Sequence, residues 1–194
     1  MYLMNMGAAN EVTEIALPPK ARELSLLPRL DYTDCFVVDA PGIPELTAER
    51  WAREMIQGAP GPLRDSLRSG WRMLGLKHGS AADPDRILGW ELRRREPDSV
   101  LLHADSRIGM PGELLYMRMS EGILFATFIQ QRNPVAKAVW ASIASGHRRI
   151  VAEMLGRAAE RLQPASSARA VSATESSIGR GSQPSSLRAR SLDM

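Results

Sequence analysis

The stretch that most limits what this chain can become is residues 133–162, "NPVAKAVWASIASGHRRIVAEMLGRAAERL". Asn133 is a strong N-cap, and Pro134 suits the first helical position, where a missing N–H costs nothing. Behind them Val135, Val139, Trp140, Ile143, His147, Ile150, Val151, Met154 and Ala158 trace one stripe at helical spacing. A helix of about thirty residues is ~45 Å long, enough to lie across a whole sheet. His147 follows Trp140 by seven residues, so both rings leave the helix on similar sides. A ring nitrogen buried without a partner costs about 1–3 kcal/mol. His147 is therefore expected to have one. If it is plain core, the partner is a backbone carbonyl or a strand side chain. If it faces a pocket, the partner is a ligand carbonyl or hydroxyl.

Upstream the period changes. "RILGWELRR" alternates Leu88, Trp90 and Leu92 against Gly89, Glu91 and Arg93. "SVLLHADS", "ELLYMRM" and "ILFATFIQQ" follow, separated by the turn signals "EPD", "GMPG" and "SEG". This predicts a four-stranded antiparallel meander. Earlier, "DYTDCFVVDA" has the aromatic and β-branched weight of a strand. Two short amphipathic helices are expected between it and the meander. Thr47 caps the first, with Leu46 and Trp51 placed as a hydrophobic staple and Met55 and Ile56 on the same face as Trp51. Pro62 opens the second, where Leu63, Leu67, Trp71 and Leu74 recur at helical spacing. "ARELSLL" reads as a short helical turn.

The resulting order is β-α-α-β-β-β-β-α. A sheet with one apolar face must cover it, and the last helix is the only element long enough to do so. The fold class expected is α+β, a curved antiparallel sheet of about five strands gripping a long C-terminal helix. Residues 1–28 read as a partly ordered extension and residues 29–162 as the domain. Residues 163–194 are rich in Ser, Ala, Arg, Gln and Pro and lack aromatics, which predicts a disordered tail.

Charge excludes little by itself. The net charge is +3, from 25 basic and 22 acidic residues. Arg169, Arg180, Arg188 and Arg190 against Glu175 and Asp193 place much of that excess in the tail. The body reads as near neutral rather than as a phosphate-binding surface, and nucleic acid is not an expected partner. Arg93, Arg94 and Arg95 read as a solvated hairpin tip. Cys35 is the single cysteine, so no intramolecular disulfide is possible, and it is expected to be a small buried strand residue. The first twenty residues lack a basic n-region and an apolar h-region. No stretch approaches the ~20 apolar residues of a membrane span, and a cytoplasmic location is expected.

No metal or cofactor is expected either. His78 falls in a loop. His103 and Asp105 share a strand face, and a zinc set with His147 is imaginable, but no close ligand pair supports it. No Gly-rich phosphate loop or nucleophile elbow appears, and Ser142 and Ser145 near His147 do not define a triad.

The stretches "LPRLDYTDCF", "LGWELRRREPDSVLLHADS" and "NPVAKAVWASIASGHRRIVAEML" make the chain similar to the START-like, polyketide-cyclase-like (SRPBCC) superfamily. More narrowly, it resembles a group of uncharacterised bacterial proteins in that superfamily, carried as a domain of unknown function. The resemblance spans about residues 29–162. It implies a helix-grip fold with a pocket between sheet and helix for a small apolar or amphipathic ligand. That fold usually has more strands than the five read here, so a shortened sheet and a reduced cavity are expected. Physically, a curved sheet and a straight helix cannot stay in contact along their whole length; large side chains fill the gap or leave a cavity. Trp90, Tyr116, Phe128, Trp140 and His147 are the candidate lining, with Met117, Met119 and Met154 as adaptable fillers. Three functions follow as expectations. The first is a ligand holder. The second is a cyclase- or aromatase-like enzyme in which His147 or Tyr116 exchanges a proton. The third is a non-catalytic interaction module whose tail recruits a partner.

Overall fold

The C-terminal helix, α4 (Pro134–Leu162), starts where its capping residues place it. The Asn133 side chain accepts a hydrogen bond from the Ala136 N–H at 2.8 Å, with Pro134 in the first turn. We describe it in a computed structural model covering residues 11–163, apart from 42, 44 and 45. Most of the Ser/Arg-rich tail, from residue 164 on, lies outside the described residues, as do residues 1–10.

Below α4 lies one antiparallel sheet. Its strands are β1 (Val12–Glu14), β2 (Tyr32–Asp39), β3 (Arg86–Ile87), β4 (Trp90–Arg95), β5 (Ser99–Ala104), β6 (Gly112–Met119) and β7 (Gly122–Ile129). Their order across the sheet is β1-β2-β7-β6-β5-β4-β3. The meander β4 to β7 forms as its turn signals predict. β7 then pairs along its whole length with both β6 and β2. The fold class is α+β with a curved antiparallel sheet and a long C-terminal helix. The sheet has seven strands where about five were expected. β1 and β3, at three and two residues, are too short to show a period in sequence. The predicted shortening of the sheet is therefore overturned.

Register sorts the side chains onto two faces. Phe36, Phe125, Tyr116 and Val100 form one cross-strand row facing α4. In the reverse direction, Cys35, Ala126, Leu115 and Leu101 form a buried row on the other face. Residues 15–30, with the single-turn helix α1 (Pro19–Arg22), supply Ala21 and partly buried Ile15, Leu17, Leu24, Leu27 and Leu30 to that second cluster. Residues 12–28, read in sequence as an extension, thus carry a sheet strand and the cover of the back face. The "ARELSLL" turn forms slightly earlier, beginning at Pro19.

Two helices connect β2 to the meander. In α2 (Ala48–Ile56) the Thr47 hydroxyl accepts from the Arg50 N–H, and Trp51, Met55 and Ile56 are buried. By contrast, α3 (Gly61–Met73) has no buried residue; Leu63, Leu67 and Trp71 only lean on the core.

The long helix is held at two ends. Near its start, Ala136 and Trp140 pack with Met110 and Ile129. Toward its end, Val151, Met154, Leu155, Ala158 and Ala159 join the main core with α2. No residue from 141 to 150 is buried. Val135, read as part of the apolar stripe, is 63% exposed. Gly146 lies in that span, and a Cβ there meets nothing within 4 Å. Replacing mid-helix glycine by alanine removes backbone entropy from the unfolded chain, so Gly146→Ala is expected to add about 0.5–1 kcal/mol. Urea unfolding checks this; a loss of stability would mean that the span needs glycine for another reason.

Candidate functional site

Between its two anchors α4 stands off the concave face, leaving a cavity of about 80 Å³. Trp90, Tyr116, Trp140 and His147 line it. Met55 and Ile56 of α2 and Leu67 and Trp71 of α3 complete much of the wall. Phe128, the fifth residue picked from sequence, does not. It is buried on the opposite face with Cys35, Leu101 and Leu115, while its neighbours Thr127 and Ile129 face the cavity. The physical reason is that β7 is covered on both sides, so its side chains are apolar on both and alternation cannot tell the faces apart. Of the three methionines expected as fillers, Met154 lines the cavity, Met117 joins the back-face cluster and Met119 is exposed.

His147 does have partners, and they come from strands. Its Nε2 lies 3.2 Å from Asp34 Oδ2 and 3.1 Å from Thr127 Oγ1. Asp34 and Thr127 are cross-strand neighbours on β2 and β7, in a row that continues through apolar Leu114 and Leu102. Tyr32, two residues before Asp34 and on the same face, donates its hydroxyl to the same Oδ2 at 2.8 Å. Asp34 is 4% exposed, and its Oδ1 is buried without a hydrogen-bond partner among the described residues. Ionised, this carboxylate only accepts. The geometry then places an N–H at His147 Nε2, facing Asp34, and turns Nδ1 away from it. Nδ1 has no hydrogen-bond partner among the described residues. The Trp140 ring sits 5.1 Å from the imidazole and 4.8 Å from Tyr32, edge-on to the latter. Burial and the Asp34 charge both push the Tyr32 phenol above its ordinary pKa.

Tyr116 is fully buried, and among the described residues its hydroxyl finds only the Met55 thioether, at 3.4 Å. Burial pushes its phenol far above the ordinary value, so it is a poor base at neutral pH. Trp90 and Trp140 each keep a buried indole N–H with no partner among the described residues. Cys35 is buried on the other face, and its thiol is pushed up to about 12, chiefly by desolvation and then by the Asp34 charge.

No protein-family model matches the chain, and no curated protein matches it. One solved structure, CalU16 from Micromonospora echinospora, aligns over 67% of this chain and 88% of its own, at 9% identity and a TM-score of 0.30. A likeness that weak carries no argument.

The other histidines are separate from this cluster. His103 faces the back of the sheet, its Nδ1 3.4 Å from Glu113, and Asp105 pairs with Lys77 at 2.7 Å. His103, Asp105 and His147 are not brought together. Among the described residues no group of three or more His, Cys, Asp or Glu side chains is arranged to hold a metal. None of the described helices is long and apolar enough to cross a membrane.

His78 packs against Trp71 and Trp90, with ring centres 5.2 and 5.8 Å away. Burial first, and then the nearby Arg68 and Arg86 charges, lower its pKa to about 4 from an ordinary 6.5. Between those values the unfolded chain binds the proton more readily, so stability falls as pH drops from 6.5 to 4. Partial exposure reduces the effect to an expected order of 1–2 kcal/mol. Thermal melts across this window should show His78→Gln losing less than the wild type. Parallel profiles would place the histidine in solvent.

Sequence reasoning missed Asp34, Thr127 and Tyr32 as the partners of His147. One signal was available. An aspartate inside a strand, flanked by Tyr32, Cys35 and Phe36, is out of place unless something charged or hydrogen-bonding meets it.

Proposed function

We propose that the protein holds a small apolar or amphipathic molecule between the sheet and α4, with His147 as its hydrogen-bonding contact. One observation supports this above others: a single polar cluster, Asp34–His147–Thr127, converges on a wall that is otherwise almost wholly apolar. Few placed polar groups in an apolar pocket is the usual composition of a small-molecule site.

Size narrows the ligand. The cavity of about 80 Å³ is well below the roughly 300–1,000 Å³ of common ligand sites. As it stands, it suits a body no larger than one ring. A larger guest must displace a wall, and α3, with no buried residue, is the wall that yields at least cost.

The test is thermal shift and native mass spectrometry with single-ring phenols and aryl ketones, each paired with its hydrocarbon isostere. Ligand at a hundred times its Kd adds about 2.7 kcal/mol, a readily measured rise in melting temperature. The expected result is binding by the polar members, with His147→Phe abolishing their advantage over the isosteres. No shift from any compound would overturn the reading.

A second reading is favoured by the Asp34–His147 pair itself. A carboxylate that orients an imidazole leaves the far nitrogen able to take a proton from a bound carbonyl compound, the chemistry expected of a cyclase-like enzyme. In that case His147→Ala abolishes turnover of an enolisable ring ketone while the fold persists. Unchanged turnover removes the histidine from the mechanism.

A further inference from the structure

Beside the apolar cavity lies a second concave space of about 790 Å³, walled by Arg68, Arg72, Lys77, His78, Arg107 and Leu88 among others. Its construction follows from the backbone. Arg68 and Arg72 are four apart on α3 and share a helix face. After α3 the chain is stapled to the segment following β5: the Lys77 N–H donates to the Asp105 carbonyl, and the Arg107 N–H to the Gly75 carbonyl, both at 2.8 Å. This brings Arg107 to the same space as the two helix arginines.

The near-neutral total charge conceals a local imbalance. Four cationic side chains line the cleft against one carboxylate, Asp65. Many arginines elsewhere are neutralised, as in Arg93–Glu91, Arg95–Glu49, Arg53–Glu49, Arg148–Glu14 and Arg161–Glu54. Arg68, Arg72 and Arg107 form no ion pair with any described carboxylate; Arg72 reaches only the Ser69 hydroxyl. Among the described residues Lys77 is the one lining cation in an ion pair, with Asp105. The His78 Nε2 is buried with no hydrogen-bond partner among the described residues. Three guanidinium groups around one hollow repel each other unless an anion lies between them, and their planar donor forks match phosphate oxygens in pairs.

We infer that this cleft binds a small organic phosphate, with Arg68, Arg72 and Arg107 on the phosphoryl oxygens and the organic part against Leu76 and Leu88. A phosphate monoester carries close to two negative charges at neutral pH, which fits three unpaired arginines better than a single carboxylate does. The volume exceeds what the phosphate group alone needs. The site is distinct from the apolar cavity, although Leu76 lines both.

The experiment is calorimetric titration of the full chain with inorganic phosphate, pyrophosphate and phenyl phosphate at low salt. Three controls accompany it: vesicles containing phosphatidic acid, a single-stranded oligonucleotide, and the Arg149→Gln variant, whose arginine lies elsewhere on the surface. Phenyl phosphate is expected to bind more tightly than inorganic phosphate. Arg68→Gln and Arg107→Gln, both at exposed positions, should each weaken it at least tenfold, and Arg149→Gln should leave it unchanged. Equal weakening by all three variants would overturn the site in favour of diffuse charge attraction. Binding only to vesicles, or only to the oligonucleotide, would overturn the small-molecule assignment. No binding of any soluble phosphate below about 10 mM, which is weaker than about 3 kcal/mol, would overturn it outright.

Discussion

Trp140→Ala is expected to lower stability by about 3–5 kcal/mol, the usual cost of emptying a buried aromatic site. The ring is 4% exposed and ties the start of α4 to Met110, Ile129 and the edge of Tyr32. It also walls the cavity, so removing it enlarges an existing space rather than opening an isolated one. Dry apolar space of that kind takes up small aromatic molecules. Indole at saturation should therefore restore about 1–2 kcal/mol of the loss, which urea melts with and without it would measure. A loss below about 1 kcal/mol would mean that the ring is not core. Full loss with no rescue would mean that α4 collapses onto the sheet, closing the space His147 faces.

Glu113→Ala is expected to cost about 3 kcal/mol, by a different route. This carboxylate is fully buried on the back face of β6. Its Oε2 accepts from the Ser25 hydroxyl at 2.6 Å and from the Leu26 N–H at 3.1 Å, fastening residues 15–30 to the sheet. Its Oε1 lies 3.4 Å from His103 Nδ1 and makes no hydrogen bond among the described residues. Truncation leaves the Leu26 N–H and the Ser25 hydroxyl without their acceptor. Limited proteolysis should then cut within residues 15–30 before any other site in the domain. Glu113→Gln, which keeps the shape and one acceptor, should cost about a third as much. A change below about 1 kcal/mol for the alanine variant would mean that apolar contacts alone hold this segment.

How much of this was legible in the sequence depended on whether the signal was local. The meander could be read because its turns are tight and its strands carry six to eight residues. The caps at Thr47 and Asn133 could be read because capping is decided within four residues. Strands β1 and β3 could not, being shorter than any period. Phe128 was placed on the wrong face because both faces of β7 are covered. Residues 15–30 hid their role because a segment crossing a sheet as irregular chain needs no regular spacing of its leucines. The partner of His147 was the hardest part of the site. Asp34 lies more than a hundred residues away, and only the pairing of β2 with the last strand brings it close.

The two-ended anchoring of α4 has a consequence for how such a molecule can diversify. Residues 141–150 span the hollow like the deck of a bridge, while the piers stand at Trp140 and from Val151 onward. Exchanges at His147 or Ile150 change the wall of the cavity while leaving the buried residues of both piers in place. Cavity lining and foldedness are thereby assigned to different stretches of one rod, and selection can retune the first while leaving the second alone.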